Sequence, residues 1–314
     1  MPHVLAIDLG GTKCSAAVVD QSGRIVSRRN VAVDISSTSA PVLQIVDLAN
    51  KLAAEKKPKQ AYVAAAIAVP GLVRRTGTVW APNLPGWGRM PLARRLQRAI
   101  GIPVIVESDR NAAVLGETWL GAARGKSDAI VLMIGTGIGA GILSEGRLLR
   151  GAHELSGCAG WLTITRSELP NIAGAGELES LASGPAIARA ARQRSRQEES
   201  SLSQLEVSRI TAHEVATAAR AGDGLALDVF ANAGRFLGYG IANMVSILDP
   251  EVVILGGGLS AVADLYLESL RNAMMERAQP VSAKQVRVVV SRLGGKANLL
   301  GCARIAWHHS KRRD

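Results

Sequence analysis

Cysteine is scarce in this chain. Its three cysteines, Cys14, Cys158 and Cys302, are scattered among 314 residues with no CxxC or CxC spacing. A disulfide framework and a zinc site built on clustered thiolates are therefore not expected, and the usage fits a reducing, cytoplasmic compartment. Aromatic residues make up only 3%, so stacking platforms for nucleic-acid bases are few. No run of about 18 apolar residues occurs, so no membrane-spanning helix is expected. The opening MPHVLAID enters a strand at once, without the basic and apolar regions of a secretory signal.

The composition otherwise suits a globular protein, with 47% hydrophobic and 20% charged residues. A net charge of +11 raises the question of nucleic acid. The Lys and Arg residues are dispersed, however, apart from Lys311-Arg312-Arg313. We read the charge as a solvated face that also attracts anionic nucleotides, with no nucleic-acid partner and no membrane partner. The length exceeds what one small core organises, so two lobes are expected.

Apolar runs at Val4–Asp8, Cys14–Asp20 and Arg24–Arg28 form a meander, and Pro41–Lys56 has a helical period that Pro58 ends. Ala61–Val69 reads as a strand. A long loop rich in Gly, Pro and Trp then runs to Met90, followed by a helix at Pro91–Ile100 and a strand at Pro103–Glu107. A helix starts at Asp109. Ala129–Ile134 and Ile138–Leu143 form a second hairpin, and VLAIDLGGTKCSAAVV and IVLMIGTGIGAGILS share one plan, which implies two related lobes. Helices follow near Gly184–Arg196, Ala212–Ala221, Leu225–Leu248, Ala261–Arg277 and Lys296–His308, with strands at Glu251–Leu255 and Val286–Val290. The polar stretch Arg192–Glu206 reads as a mobile surface segment.

Two glycine-rich turns carry the chemistry. A nucleoside triphosphate needs backbone N–H donors that approach closely, and glycines allow this. Gly10, Gly11, Thr12 and Lys13 supply one such turn, with Asp8 beside it where a carboxylate can hold Mg²⁺ through water. Alone, DLGGTK is equally a plain β-hairpin. The matching turn Gly135-Thr136-Gly137 favours an ATP site between the two. Gly256-Gly257-Gly258 runs from strand to helix and imitates a dinucleotide fingerprint. The next strand ends in Ser291-Arg292 instead of an acidic residue, which argues against NAD. Asp109 follows a buried strand and opens a helix. It is either a helix-capping acid, with Ser108 sharing that role, or a base for phosphoryl transfer.

The ordered set DLGGTK, ESDRNAAVLGE, IGTGIGAGI and LDPEVVILGGGLS resembles the ROK family of bacterial sugar kinases, repressors and related reading frames, from Val4 to about Trp307. The resemblance implies a two-lobed α/β fold of the actin/hexokinase (ribonuclease H-like) type with the active site in the interlobe cleft. One lobe is expected over residues 1–115 joined by the C-terminal helix 297–314, the other over 116–296. It implies that the first two turns bind ATP phosphates, that Gly256–Gly258 lies by the adenosine, and that Asp109 is the catalytic base. Gly71, Asn83, Ser108 and Glu179 become sugar-site residues, and Trp87 either a sugar-facing ring or a core residue.

The chain departs from the family where a GExGH motif and a cysteine cluster usually bind zinc. Here Cys158 and Trp161 stand at the Glu and His positions, and Asn171 to Gly176 carry no thiolate. No structural zinc is expected there. Cys158 and Trp161 are read as core residues replacing the metal, with Trp161 as a sugar-stacking platform the alternative. His153 and Glu154 are candidate replacement contacts to the sugar. The implied function is transfer of the ATP γ-phosphate to a hydroxyl, that on C6, of a hexose or N-acetylhexosamine, with Mg²⁺-ATP as cofactor and a homodimer as the family's usual assembly. The alternative is a non-enzymatic sugar-sensing regulator. Such regulators carry a DNA-binding segment before the sugar lobe, and the first phosphate strand starting at Val4 leaves none expected here.

Overall fold

The computed structural model describes residues 2–55, 62–165 and 174–311. Pro58, part of Asn171–Gly176 and Arg312-Arg313 lie outside them. The chain opens with β1 (His3–Leu9), β2 (Lys13–Val19) and β3 (Ile25–Ala32), joined by short turns as the alternation of apolar runs and Gly/Ser turns requires. Helix α1 (Ala40–Ala54) leads to β4 (Tyr62–Val69). The loop rich in Gly, Pro and Trp holds a small hairpin, β5 (Leu72–Val73) and β6 (Val79–Trp80), before α2 (Leu92–Ile100) and β7 (Val104–Ser108). Strand order in this sheet is β3-β2-β1-β4-β7, with β1, β4 and β7 parallel.

Helix α3 (Asp109–Leu120) connects to a second sheet. It contains β8 (Ala129–Ile134), β9 (Ile138–Ser144) and β10 (Arg147–Leu148). Beyond them come α4 (Glu177–Ala182), α5 (Gly184–Arg194), α6 (Ala212–Arg220) and α7 (Gly224–Leu248). Strand β11 (Val252–Gly256), α8 (Leu267–Arg277), α9 (Pro280–Gln285), β12 (Arg287–Val290) and α10 (Ala297–Ser310) complete the chain. The second sheet runs β10-β9-β8-β11-β12 and repeats the plan of the first, an antiparallel hairpin extended by parallel strands. The weak repeat between the two glycine segments is thus a repeat of topology.

Apolar side chains alternate across both sheets. Leu5, Ile7 and Leu9 pack with α1 and α2, while Val4 and Ala6 face Leu299, Cys302 and Trp307 of α10. Each fully buried large side chain contributes roughly 1.5–3 kcal/mol. Helix α10 lies on α3 and on β1 and β4, and Trp307 Nε1 donates to Asp20 O at 3.0 Å. Glu117 of α3 is completely buried and accepts from Ala122 N at 2.7 Å and from the Ser291 hydroxyl, fastening α3 to the end of β12. No described helix is long and apolar enough to cross a membrane.

Two expectations change. The stretch Arg192–Glu206 is folded: Arg192–Arg194 ends α5, Ser201–Gln204 is a 3-10 turn, and Leu202 is buried. Asp223 holds it by accepting from Ser201 N at 2.7 Å and Ser200 Oγ at 2.8 Å. The helix read over Ala261–Arg277 is broken. A 3-10 segment, Gly258–Leu265, has non-helical backbone at Val262, and α8 starts only at Leu267.

Candidate functional site

The two glycine turns are the tips of two like-built hairpins. In the first, β1 and β2 pair out to Leu9 opposite Cys14, and Gly10 N donates to Lys13 O at 2.9 Å. Gly11, Thr12 and Lys13 are exposed. In the second, β8 and β9 pair out to Ile134 opposite Ile138, and Gly135 N donates to Gly137 O at 3.0 Å. Thr136 is exposed at its tip.

The third glycine cluster abuts the second hairpin. Gly256 ends β11, and Gly257 has φ +79°, where a Cβ would lie 2.4 Å from Ile134 O. Only glycine suits that left-handed close approach. Gly258 then begins a 3-10 segment, so the strand-to-helix geometry of a dinucleotide fingerprint is missing. Beside it lies a recess of about 290 Å³ lined by Gly135, Thr136, Pro185, Arg192, His213 and Gly258. Pro185, Arg192 and His213 are residues the sequence did not single out. Pro185 and Arg192 lie on α5 and His213 on α6, far in sequence from the glycine clusters, and a polar stretch read as mobile concealed Arg192.

Asp8 and Asp109 close the other end of this arrangement. Asp8 is the penultimate residue of β1, and Asp109 directly follows β7, two strands away in the same sheet. Asn298 Nδ2, from the start of α10, donates to Asp8 Oδ1 at 3.0 Å. Among the described residues nothing donates to the second oxygen. Burial pushes the Asp8 carboxyl up to about 6; the Asn298 hydrogen bond works against this and the Asp109 charge adds to it. Burial likewise raises Asp109 above the ordinary carboxylate range, opposed by the hydrogen bond from Arg110 N at 2.8 Å and by the Arg110 charge.

Asp109 sits at the first helical position, but Ser108 makes no side-chain cap. Instead, Glu107 organises the junction. Its Oε1 accepts from Ser108 N and Asn111 Nδ2, both at 2.9 Å, and its Oε2 pairs with Arg150, which follows β10 of the second sheet. Around the two aspartates, several buried polar atoms have no hydrogen-bond partner: Ser108 Oγ, Arg110 Nε, Asn111 Oδ1 and Asn298 Oδ1. Buried polar atoms are nearly always satisfied, so such a cluster in a cleft marks a place a polar ligand completes.

The sugar-side residues are distributed less evenly. Gly71 follows β4, whose Val69 pairs with Ser108, so it lies by the base. Asn83 is exposed on the compact loop 81–87 and has no hydrogen bond to a described residue. Trp87 is a core residue, 1% exposed, with Nε1 donating to Thr38 O at 3.0 Å, which excludes the sugar-facing alternative. Glu179 Oε2 accepts from Ile138 N at 2.8 Å, joining α4 to the second hairpin. Glu154 does not point a free carboxylate at a sugar: it pairs with Arg74 at 3.0 Å and Arg75 at 3.7 Å, and Arg74 also donates to His153 O.

Trp161 overturns its core assignment. It ends a 3-10 turn, Ala159–Trp161, with 63% of its surface exposed, while Cys158 is half-buried. An indole and one thiol do not provide a zinc donor set, and no three His, Cys, Asp or Glu side chains converge among the described residues.

A family model described as "ROK family" matches residues 4–309. A glucokinase from Halalkalibacterium halodurans is 31% identical over 95% of this chain and 92% of its own length. The crystal structure of a ROK family glucokinase from Streptomyces griseus, in complex with glucose and AMPPNP, superposes with a TM-score of 0.81 at 32% identity, covering 98% of this chain and 99% of that one. A ROK family transcriptional regulator, a homologue of the E. coli MLC protein, superposes with a TM-score of 0.86 at 27% identity, covering 96% of this chain and 77% of that one.

Proposed function

The chain belongs to the ROK family and has its two-lobed actin/hexokinase-type α/β fold, and from that membership and the chemistry of the cleft we propose that it is an ATP-dependent sugar kinase. It transfers the γ-phosphate to a hydroxyl, that on C6, of a hexose or N-acetylhexosamine. The observation that carries this reading is the cluster of unpartnered buried polar atoms around Asp8 and Asp109, with Asp8 two residues before the first open glycine turn.

In this reading the backbone N–H groups of Gly10–Lys13 and Gly135–Gly137, with the Thr12 and Thr136 hydroxyls, hold the phosphates, and the recess beside Gly256–Gly258 takes the adenosine. The hard oxygen donor Asp8, with one carboxylate oxygen unused, fits a magnesium ion held through water. That ion would neutralise phosphate charge. Asp109 orients the acceptor hydroxyl and takes its proton as the bond to phosphorus forms. A carboxylate with a raised pKa is the better base, because it binds a proton more readily once the hydroxyl starts to release it. Gly71, Asn83, Ser108 and Glu179 frame the sugar, and the open Trp161 indole beside Cys158 offers an apolar face for the ring.

A non-enzymatic sugar-sensing regulator is the second reading, favoured by the altered polar contacts at Cys158 and Trp161. A regulator has no need of Asp109 as a base or of two open phosphate turns, and all three are kept. The test is ADP release on mixing the protein with ATP, Mg²⁺ and a panel of hexoses and N-acetylhexosamines. The kinase reading expects sugar-dependent release with at least one member. Binding of a sugar with no release across the panel would favour the regulator.

A further inference from the structure

Building on the kinase reading, we infer that Arg110 is an oxyanion-binding residue of the cleft, its guanidinium receiving the phosphoryl group in passage from ATP to the acceptor. Arg110 is the second residue of α3, directly after Asp109, where a long cation would ordinarily reach into solvent. Instead its side chain lies along β9. A Cβ on Gly141 would come within 1.9 Å of the Arg110 carbonyl oxygen, and one on Gly139 within 3.4 Å of Arg110 Cδ and 3.9 Å of Nη1. The two glycines leave a lane that α3 and this side chain fill. Because β9 starts one residue after the Gly135–Gly137 turn, the lane leads from the base toward the tip of the second phosphate hairpin.

The guanidinium is unspent. Arg110 Nε is buried without a hydrogen-bond partner, and the side chain forms no ion pair with a described residue. Guanidinium is planar, permanently charged and has five donors that match an oxyanion two at a time. The buried Nε donor is costly to leave empty, and no described group supplies an acceptor for it, so an oxyanion entering the cleft satisfies it. The surroundings identify it. Asp8 and Asp109 place negative charge at this end of the cleft, which opposes the entry of phosphate oxygens. A cation between Asp109 and the hairpin tip offsets that repulsion where charge is redistributed during transfer.

The experiment compares wild type with Arg110→Gln and Arg110→Lys, each checked for folding by circular dichroism. Calorimetry with Mg²⁺ measures the affinities for AMPPNP and for ADP in the absence of sugar. In Arg110→Gln the AMPPNP affinity is expected to fall about tenfold while that for ADP changes less than about twofold. Turnover is expected to fall about 10²–10³-fold, partly recovered in Arg110→Lys. Equal losses for both nucleotides, or none for either, would overturn the inference. So would unchanged AMPPNP affinity with a raised KM for carboxylated or phosphorylated sugars alone, which would assign the guanidinium to a charge on the acceptor. The nucleotide contrast needs neither sugar nor turnover. A wild type that phosphorylates no sugar would therefore refute the kinase reading without deciding the role of Arg110.

Discussion

Asp8 and Asp109 stand at the carboxyl ends of β1 and β7, with β4 between them, and the charge on Asp109 helps hold the Asp8 carboxyl near a pKa of about 6. Neither carboxylate is paired at hydrogen-bond range with a cation of the described residues. Asp8 has an amide partner in Asn298, whose own Oδ1 is buried without a partner. The pair is arranged for a ligand and against the stability of the empty protein.

That arrangement has a measurable cost. The folded Asp8 pKa of about 6 lies above its ordinary 3.8, so between these values the folded chain keeps a proton that the unfolded chain has released. Stability from this group is full below pH ~4 and is lost as pH rises through ~6. Asp8→Asn should therefore stabilise the metal- and nucleotide-free protein at pH 8 by on the order of 2 kcal/mol, with the new amide able to donate to Asn298 Oδ1. Urea unfolding at pH 8 and pH 4 checks this. The gain should vanish at the lower pH, and an Asn variant no more stable than wild type at pH 8 would contradict it.

The same logic with opposite functional sign applies to Asp109. As a base it must be ionised, so the rate rises with pH through its pKa, and burial sets that pKa above the ordinary carboxylate range. A profile of kcat/KM against pH should show an acid limb centred above the ordinary carboxylate value of about 4. In Arg110→Gln, which removes a charge that opposes the shift, the limb should move to still higher pH. A profile flat down to pH 4 would contradict the assignment.

Glu154 ties the second half of the chain to the β5–β6 hairpin through Arg74 and Arg75. Arg74 is about half exposed, so its loss should cost little stability, within about 1 kcal/mol. The tie nevertheless holds the loop leading to Cys158 and Trp161. Arg74→Ala should raise the sugar KM about three- to tenfold with kcat nearly unchanged, as weaker ordering of a binding loop predicts. Steady-state kinetics and a thermal melt decide between this and a purely structural role, which would lower the melting temperature without moving KM.

Much of this was legible in the sequence because the informative signals were local. Each hairpin shows a glycine turn between apolar strands, and Asp109 lies between a buried strand and a helix. Trp87, with Pro and Gly around it, left core and surface readings open, and only packing against Thr38 resolves them. Trp161 misled because its place in the motif fixed its position in the chain but not its exposure. Arg192–Glu206 looked solvated because Leu202 is one buried residue in a polar run, and its anchor, Asp223, is distant in sequence. Asn298 meets Asp8 from the far end of the chain, a contact that no local pattern encodes. Arg110 reads as an ordinary surface charge until the lane cleared by Gly139 and Gly141 is seen.

The most direct test is turnover of Asp109→Asn beside its nucleotide affinity. With a sugar that wild type phosphorylates, followed by ADP release and ³¹P NMR of the product, the variant should lose about 10²–10⁴-fold in kcat. Its affinity for AMPPNP with Mg²⁺ should stay within about twofold of wild type. A variant that keeps most of its phosphoryl transfer would contradict the assignment of Asp109 as the base, and with it the mechanism built on this cleft.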